Sequence, residues 1–226
     1  MGDAHSNGKS NGAGTPKTPG ASGTGTPEEA TAASLSAPLP AFARSKAPEA
    51  VADLADACER FVLAKYKVRL DRTRDTLSIL DHYIREARAD LAAKPESLPL
   101  LQATIGAYFG EVVRSEFEAS WFADGDHDGW RLDLVNVFLT FNPLGMAREA
   151  LLLEDAEGWH AHLEMDEAER EEVERRLSSL PEVPDDEFYA PTTRFEVIEI
   201  AIDSIRGQMI ERGLGDVTFG PADYRK

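Results

Sequence analysis

The sequence predicts an α+β domain, an antiparallel sheet packed against several helices, behind a disordered N-terminal tail. Three observations carry that reading. Residues 1–46 are a low-complexity run of Gly, Ser, Thr, Ala and Pro whose first aromatic is Phe42. Such a run is too poor in apolar side chains to offset its ordering entropy. From Ala47 onward apolar residues recur with a helical period, switch to strand-like alternation after Trp121, and return to helical spacing after Asp166. Helices, then strands, then helices is the order of an α+β domain. The division is therefore a tail, 1–46, and one domain, 47–226.

The elements follow in order. Pro48 suits a first helical turn. Val51, Leu54, Cys58, Phe61 and Val62 then mark a helix face up to about Tyr66. Lys67–Leu70 alternates as a short strand does. A second helix runs from about Thr73 to Ala93, with Leu77, Leu80, Ile84, Ala87 and Leu91 on one face. Ser97 is placed to cap a third. That third helix begins the stretch Leu98–Trp121, the most informative part of the chain. Leu101, Ile105, Tyr108 and Val112 share one of its faces, and Gly106 and Gly110 lie four apart on another side. A helical glycine costs about 0.5–1 kcal/mol relative to alanine, so two of them point to a second backbone close by.

Asp124–Gly129 is a turn cluster between two aromatic-rich runs, a hairpin signal. Between Arg131 and Phe141 the apolar alternation slips by one residue after Leu134, which predicts a bulge or burial on both faces. Asn142-Pro143 breaks the run. Gly145–Leu153 fits a strand or a short helix, and Gly158–Met165 alternates as a strand. Asp166 with Glu169, and Thr193 with Glu196, have capping-box spacing for two closing helices. The second carries Ile198, Ile202, Ile205 and Met209 on one face and ends at Gly213 and Gly215.

Charge narrows the partners. The chain carries a formal net charge of −17, and its first 46 residues are slightly basic, so the body is strongly acidic. A body of that sign is repelled by phosphate backbones, which argues against nucleic acid and for solubility or a basic partner. Cys58 is the single cysteine, so no internal disulfide forms, and it falls on a helix face as a core residue. The reading is a reducing, cytoplasmic compartment without membrane association. No run reaches the roughly 18 apolar residues of a membrane span. Met1-Gly2 opens a loose myristoylation pattern, and three Thr-Pro pairs are phosphorylation-type sites, in a tail that otherwise reads as a spacer.

The candidate sites each have a structural reading beside the functional one. His160, His162 and Glu164 alternate, and on a strand would share a face with neighbours roughly 7 Å apart, an H-x-H-x-E pattern able to hold zinc or another divalent metal. Without metal the same residues are a solvent face. Glu111 and Arg114, spaced i,i+3, form an ion pair that is structural or marks a binding site. Trp121, Trp130 and Trp159 pack in the core or line a partner groove. Asp124, Asp126, Asp128 and Gly129 begin like a calcium loop, but the twelfth position is Val135 where a bidentate Glu belongs. The helix after Asp166 carries Glu167, Glu169, Glu171, Glu172 and Glu174, a solvated face or a docking surface for a basic partner. His82 is a lone base without a matching geometry. No phosphate loop, dinucleotide fingerprint or nucleophile elbow is present, and no catalytic residues assemble.

Val68-Arg69-Leu70-Asp71, Thr76–Asp81, Gly106–Arg114 and Trp121 together resemble a pattern in bacterial proteins of the DUF3806 type, where an "LD…SL…LD" segment precedes a helix with "G-x-Y-x-G-E" and a nearby tryptophan. The resemblance covers about residues 67–135. It implies a small α+β domain and brings no activity, cofactor or catalytic residues with it.

Three function classes follow. The leading one is a non-enzymatic cytoplasmic binding or regulatory protein with an acidic body, immunity-like or antitoxin-like, acting through protein–protein interaction. The second is a metal-dependent enzyme using the H-x-H-x-E strand. The third is a self-associating scaffold. The sequence leaves oligomeric state open.

Overall fold

The computed structural model describes residues 46–225. The expected tail therefore lies, apart from Lys46, outside the described residues, as do the myristoylation pattern and the Thr-Pro pairs.

Helix α1 (Glu49–Tyr66) buries Val51, Ala55, Cys58 and Val62 along one stripe and ends where Lys67 turns left-handed, with φ 60°. Lys67–Leu70 forms no strand, which corrects the alternation reading. Its one buried side chain, Leu70, enters the core, and two residues on, the backbone N–H of Arg72 donates to the Tyr108 hydroxyl instead of to a neighbouring strand. A 3-10 turn at Arg74–Thr76 delays helix α2 to Leu77–Ala93. Asp71 organises that turn by accepting from the Thr73 amide and hydroxyl. Leu77, Leu80, Ile84, Ala87 and Leu91 are buried, as the spacing predicts.

Helix α3 (Leu98–Phe117) is the centre of the molecule. Every residue from Gln102 to Val113 is buried, so it has no solvent face over three turns, as expected for a helix enclosed on all sides. It packs against α1 and, more closely, against α4 (Pro143–Leu152). A Cβ on Gly106 would lie 2.5 Å from Leu144 Cα and 2.8 Å from the Pro143 carbonyl oxygen. A Cβ on Gly110 would lie 2.2 Å from Cζ2 and 2.5 Å from Cη2 of the Trp121 ring. The two glycines thus admit a backbone and an indole, respectively.

Strands β1 (Ala119–Phe122), β2 (Arg131–Leu134), β3 (Leu139–Phe141) and β4 (Glu164–Met165) form one antiparallel meander. The hairpin between β1 and β2 lies where the turn cluster predicts it. The phase slip after Leu134 is not a bulge, and burial on both faces, the other reading, holds: Asp133 and Thr140 are buried as well as Leu132, Leu134, Leu139 and Phe141. The slip itself is a second reversal, in which Val135–Phe138 turns the chain and β3 pairs back onto β2 with Leu132 opposite Phe141. The register puts Ala119, Trp121, Leu132, Leu134, Leu139 and Phe141 on the helix-facing side, and Ser120, Asp133, Thr140 and Glu164 in a row on the other. The chain's last segment covers part of that second side. Phe219 N–H donates to the Val135 carbonyl, Tyr224 stacks on Phe138, and the Tyr224 hydroxyl sits 2.6 Å from the Leu134 carbonyl.

The stretch Gly145–Leu153 resolves as helix, started by Asn142. Most of Gly158–Met165 is not strand, because His160 takes φ 50° and only Glu164 and Met165 pair. Helix α5 (Glu167–Leu177) begins after Asp166, but Glu169 turns away to bond Arg212, so the capping box does not close. The short α6 (Asp185–Phe188) leads into α7 (Pro191–Glu211). Helix α7 starts before Thr193, and its cap comes from another helix: the Asp81 carboxylate of α2 accepts from the Thr192 amide at 3.2 Å and hydroxyl at 2.5 Å.

Candidate functional site

The structure brings Glu111, Arg114 and Trp121 together. Gly110 lets the indole lie against α3, and Trp121 Nε1–H donates to Glu111 Oε1 at 2.8 Å. Arg114 meets the same carboxylate through Nε at 2.7 Å and Nη2 at 2.9 Å, a bidentate pair. Arg72 lies 4.0 Å away on the Oε2 side and continues to Glu59 at 2.6 Å and to Asp56. Glu111 is 2% exposed and both its oxygens are occupied. The geometry is that of a brace tying α1, the loop after it, α3 and β1.

The other two tryptophans lie elsewhere. Trp130 is buried under the hairpin turn, edge-on to His127, with its N–H 3.3 Å from the Gly125 carbonyl. Trp159 lies beside α4, under the Arg148 guanidinium. The three indoles make no common groove. Asp124, Asp126 and Asp128 are exposed, while the carbonyls of His127 and Asp128 turn inward to the Asn142 amide at 2.9 and 3.1 Å. The turn is thus fastened to α4 by its carbonyls. Cys58 is fully buried and burial pushes its thiol up, away from reactivity. His82 stands half-exposed beside Glu86.

His160, His162 and Glu164 do not share a strand face. His160 Nδ1 lies 2.9 Å from Glu164 Oε1, an exposed pair. His162 instead joins Glu149 and Asp155, one donor atom of each lying within 4.8 Å of the others. Spacing within the sequence does not reveal this group, because Glu149 is on α4 and Asp155 and His162 are in the loop that follows.

Glu149 is the second feature that sequence reasoning missed. It is 0% exposed, and its Oε2 accepts from Arg194 Nη2 at 2.7 Å. Its Oε1 has a single long contact, the Ala156 amide at 3.3 Å. Arg194, on α7, lies against the Phe188 and Tyr189 rings, and burial lowers its guanidinium below the ordinary range even with Glu149 beside it. The Tyr189 hydroxyl donates to Asp155 Oδ1 at 3.0 Å. A narrow cleft of about 10 Å³, room for a single water, lies beside this pair, lined by Ile105, Phe109, Met146, Tyr189 and Arg194 among others.

These contacts draw two acidic segments to one end of α4. Glu154, Asp155 and Glu157 come from the loop after it, and Glu182, Asp185, Asp186 and Glu187 precede α7; all seven are exposed. Leu153 at the start of the first segment, and Val183 and Phe188 in the second, have 36–42% of their surface exposed. Comparison with the models of known protein families, with curated proteins and with solved structures finds no match. No described helix is long and apolar enough to cross a membrane.

Proposed function

We propose that this protein is a non-enzymatic binding or regulatory module of the cytoplasm, which holds a basic protein partner in the way an immunity protein or antitoxin does. One observation carries the reading: two exposed acidic segments, tied together through Tyr189 and Asp155, carry seven carboxylates and the exposed Leu153, Val183 and Phe188. Charge of one sign steers an oppositely charged partner and sets register, while apolar side chains among the acids supply contact area. Arg194 is buried and committed to Glu149, and Arg88, bonded to the Ala150 carbonyl, offsets part of the charge at Asp186.

The test compares the parent with a variant in which Glu154, Asp185, Asp186 and Glu187 become their amides. Pull-down from a native lysate at low salt is expected to enrich one discrete basic protein with the parent. The amide variant should lose it, and raising salt from about 50 to 300 mM should release it, since screening shortens the Debye length to well under 10 Å. No recovered partner, or a partner held equally by the variant, would overturn the reading.

A further inference from the structure

The geometry points to a divalent-metal site built from Glu149, Asp155 and His162, selective for zinc-like ions over magnesium. Three donors from two elements meet there, one donor atom of each within 4.8 Å of the others. An ion at the centre of a triangle of that edge lies about 2.8 Å from each donor, against about 2.0–2.2 Å for bound zinc. Closing that difference takes a sub-ångström inward shift. Asp155 and His162 are exposed and sit in a loop outside regular secondary structure, so they are the donors free to make it.

Two further observations single this group out from the acidic surface around it. Glu149 is a wholly buried carboxylate whose Oε1 holds only the 3.3 Å contact to the Ala156 amide, so a buried oxygen is left with acceptor capacity. Each carboxylate is also oriented from outside the group: Glu149 by Arg194, itself packed under two rings, and Asp155 by the Tyr189 hydroxyl. Outer groups that fix the ligands in this way are a usual part of metal sites. The charge agrees. Two carboxylates face one guanidinium, which leaves a net negative charge for a cation to neutralise. An imidazole beside carboxylates favours zinc, manganese or iron(II) over magnesium and calcium. His160 is outside the group because it pairs with Glu164.

The inference stands apart from the partner reading, since the metal is titrated without a partner. Chelator-treated full-length protein lacking an affinity tag is titrated with zinc chloride by calorimetry and by thermal melting. One zinc per chain is expected, with a Tm rise of about 5–10 °C at a hundredfold excess over Kd. Asp155→Asn and His162→Ala alter exposed side chains, so the fold is retained, and each should weaken zinc at least tenfold. His160→Ala should bind as the parent does, and magnesium should give no saturable signal. Absence of saturable zinc binding, parental binding by His162→Ala, or an equal loss in His160→Ala would each overturn the assignment.

Discussion

Gly106 is where a single atom decides the packing. Alanine in its place would gain helix propensity of about 0.5–1 kcal/mol. Its Cβ would also press on the Leu144 Cα and the Pro143 carbonyl, both backbone and unable to rotate aside. Overpacking of this kind costs about 1–3 kcal/mol, so the steric term wins. Gly106→Ala is expected to lower Tm by several degrees in thermal melts; an unchanged or raised Tm would mean that α4 yields. Gly110 differs, because its neighbour is a side chain, the Trp121 ring. The spacing of the two glycines, the adjacent Glu111 and the i,i+3 Arg114 were legible in the sequence as a close-packed face beside an ion pair. Asn142 was legible only in part. Asn142-Pro143 reads as the end of the strand run; that its Oδ1 also starts α4, accepting from the Leu144 and Gly145 amides, the sequence reading does not include. Its two bonds from Nδ2 to the hairpin turn come from residues more than a dozen positions away and leave no local trace.

Between elements, the Glu149–Arg194 pair joins α4 to α7 and helps seat the loop after α4. The lowered guanidinium indicates that desolvation outweighs the attraction of its partner. Removing one member therefore strands a buried charge, while removing both does not. Glu149→Ala is expected to cost about 3–5 kcal/mol in chemical denaturation. The double variant Glu149→Leu with Arg194→Met should recover most of that loss. A double variant as unstable as the single one would show that the charges contribute net stability. Helix periodicity fared well at this scale, since an amphipathic stripe is a local record of burial. Alternation fared less well. Lys67–Leu70 and most of Gly158–Met165 alternate without pairing, because a strand also needs a partner edge and a negative φ, and His160 has φ 50°. The slip after Leu134 recorded a real event, whose nature as a turn was fixed by the pairing of β3 back onto β2.

For the whole molecule, charge sets the response to pH and salt. The acidic body repels itself at neutral pH, and protonation or salt relieves it. Burial raises the carboxyls of Asp81 and Asp133 above their ordinary range. The folded state therefore binds more protons than the unfolded chain between the ordinary carboxylate value near 4 and the raised folded value, and stability increases as pH falls through that window. Glu172, held down to about 2 chiefly by hydrogen bonds from Arg175 and Arg176, works in the opposite sense, below the window. Tm is thus expected to rise from pH 7.5 towards pH 5, and to rise with salt at pH 7.5. In Asp133→Asn, which can still accept from the Thr140 hydroxyl, the pH rise should be smaller. A Tm that falls over the same range would show that carboxylates paired in the native state dominate instead. By itself the sequence determined the fold class, the stripes of the main helices, the first hairpin and the acidity of the body, because each depends on neighbours along the chain or on composition alone. Which acids meet, that His162 joins Glu149 and Asp155 rather than His160, and that two acidic segments share one end of α4, only the tertiary structure decided. Those contacts join residues brought together by the packing of α4 against α7 and by the path of the loop between them, and sequence spacing carries no record of that distance.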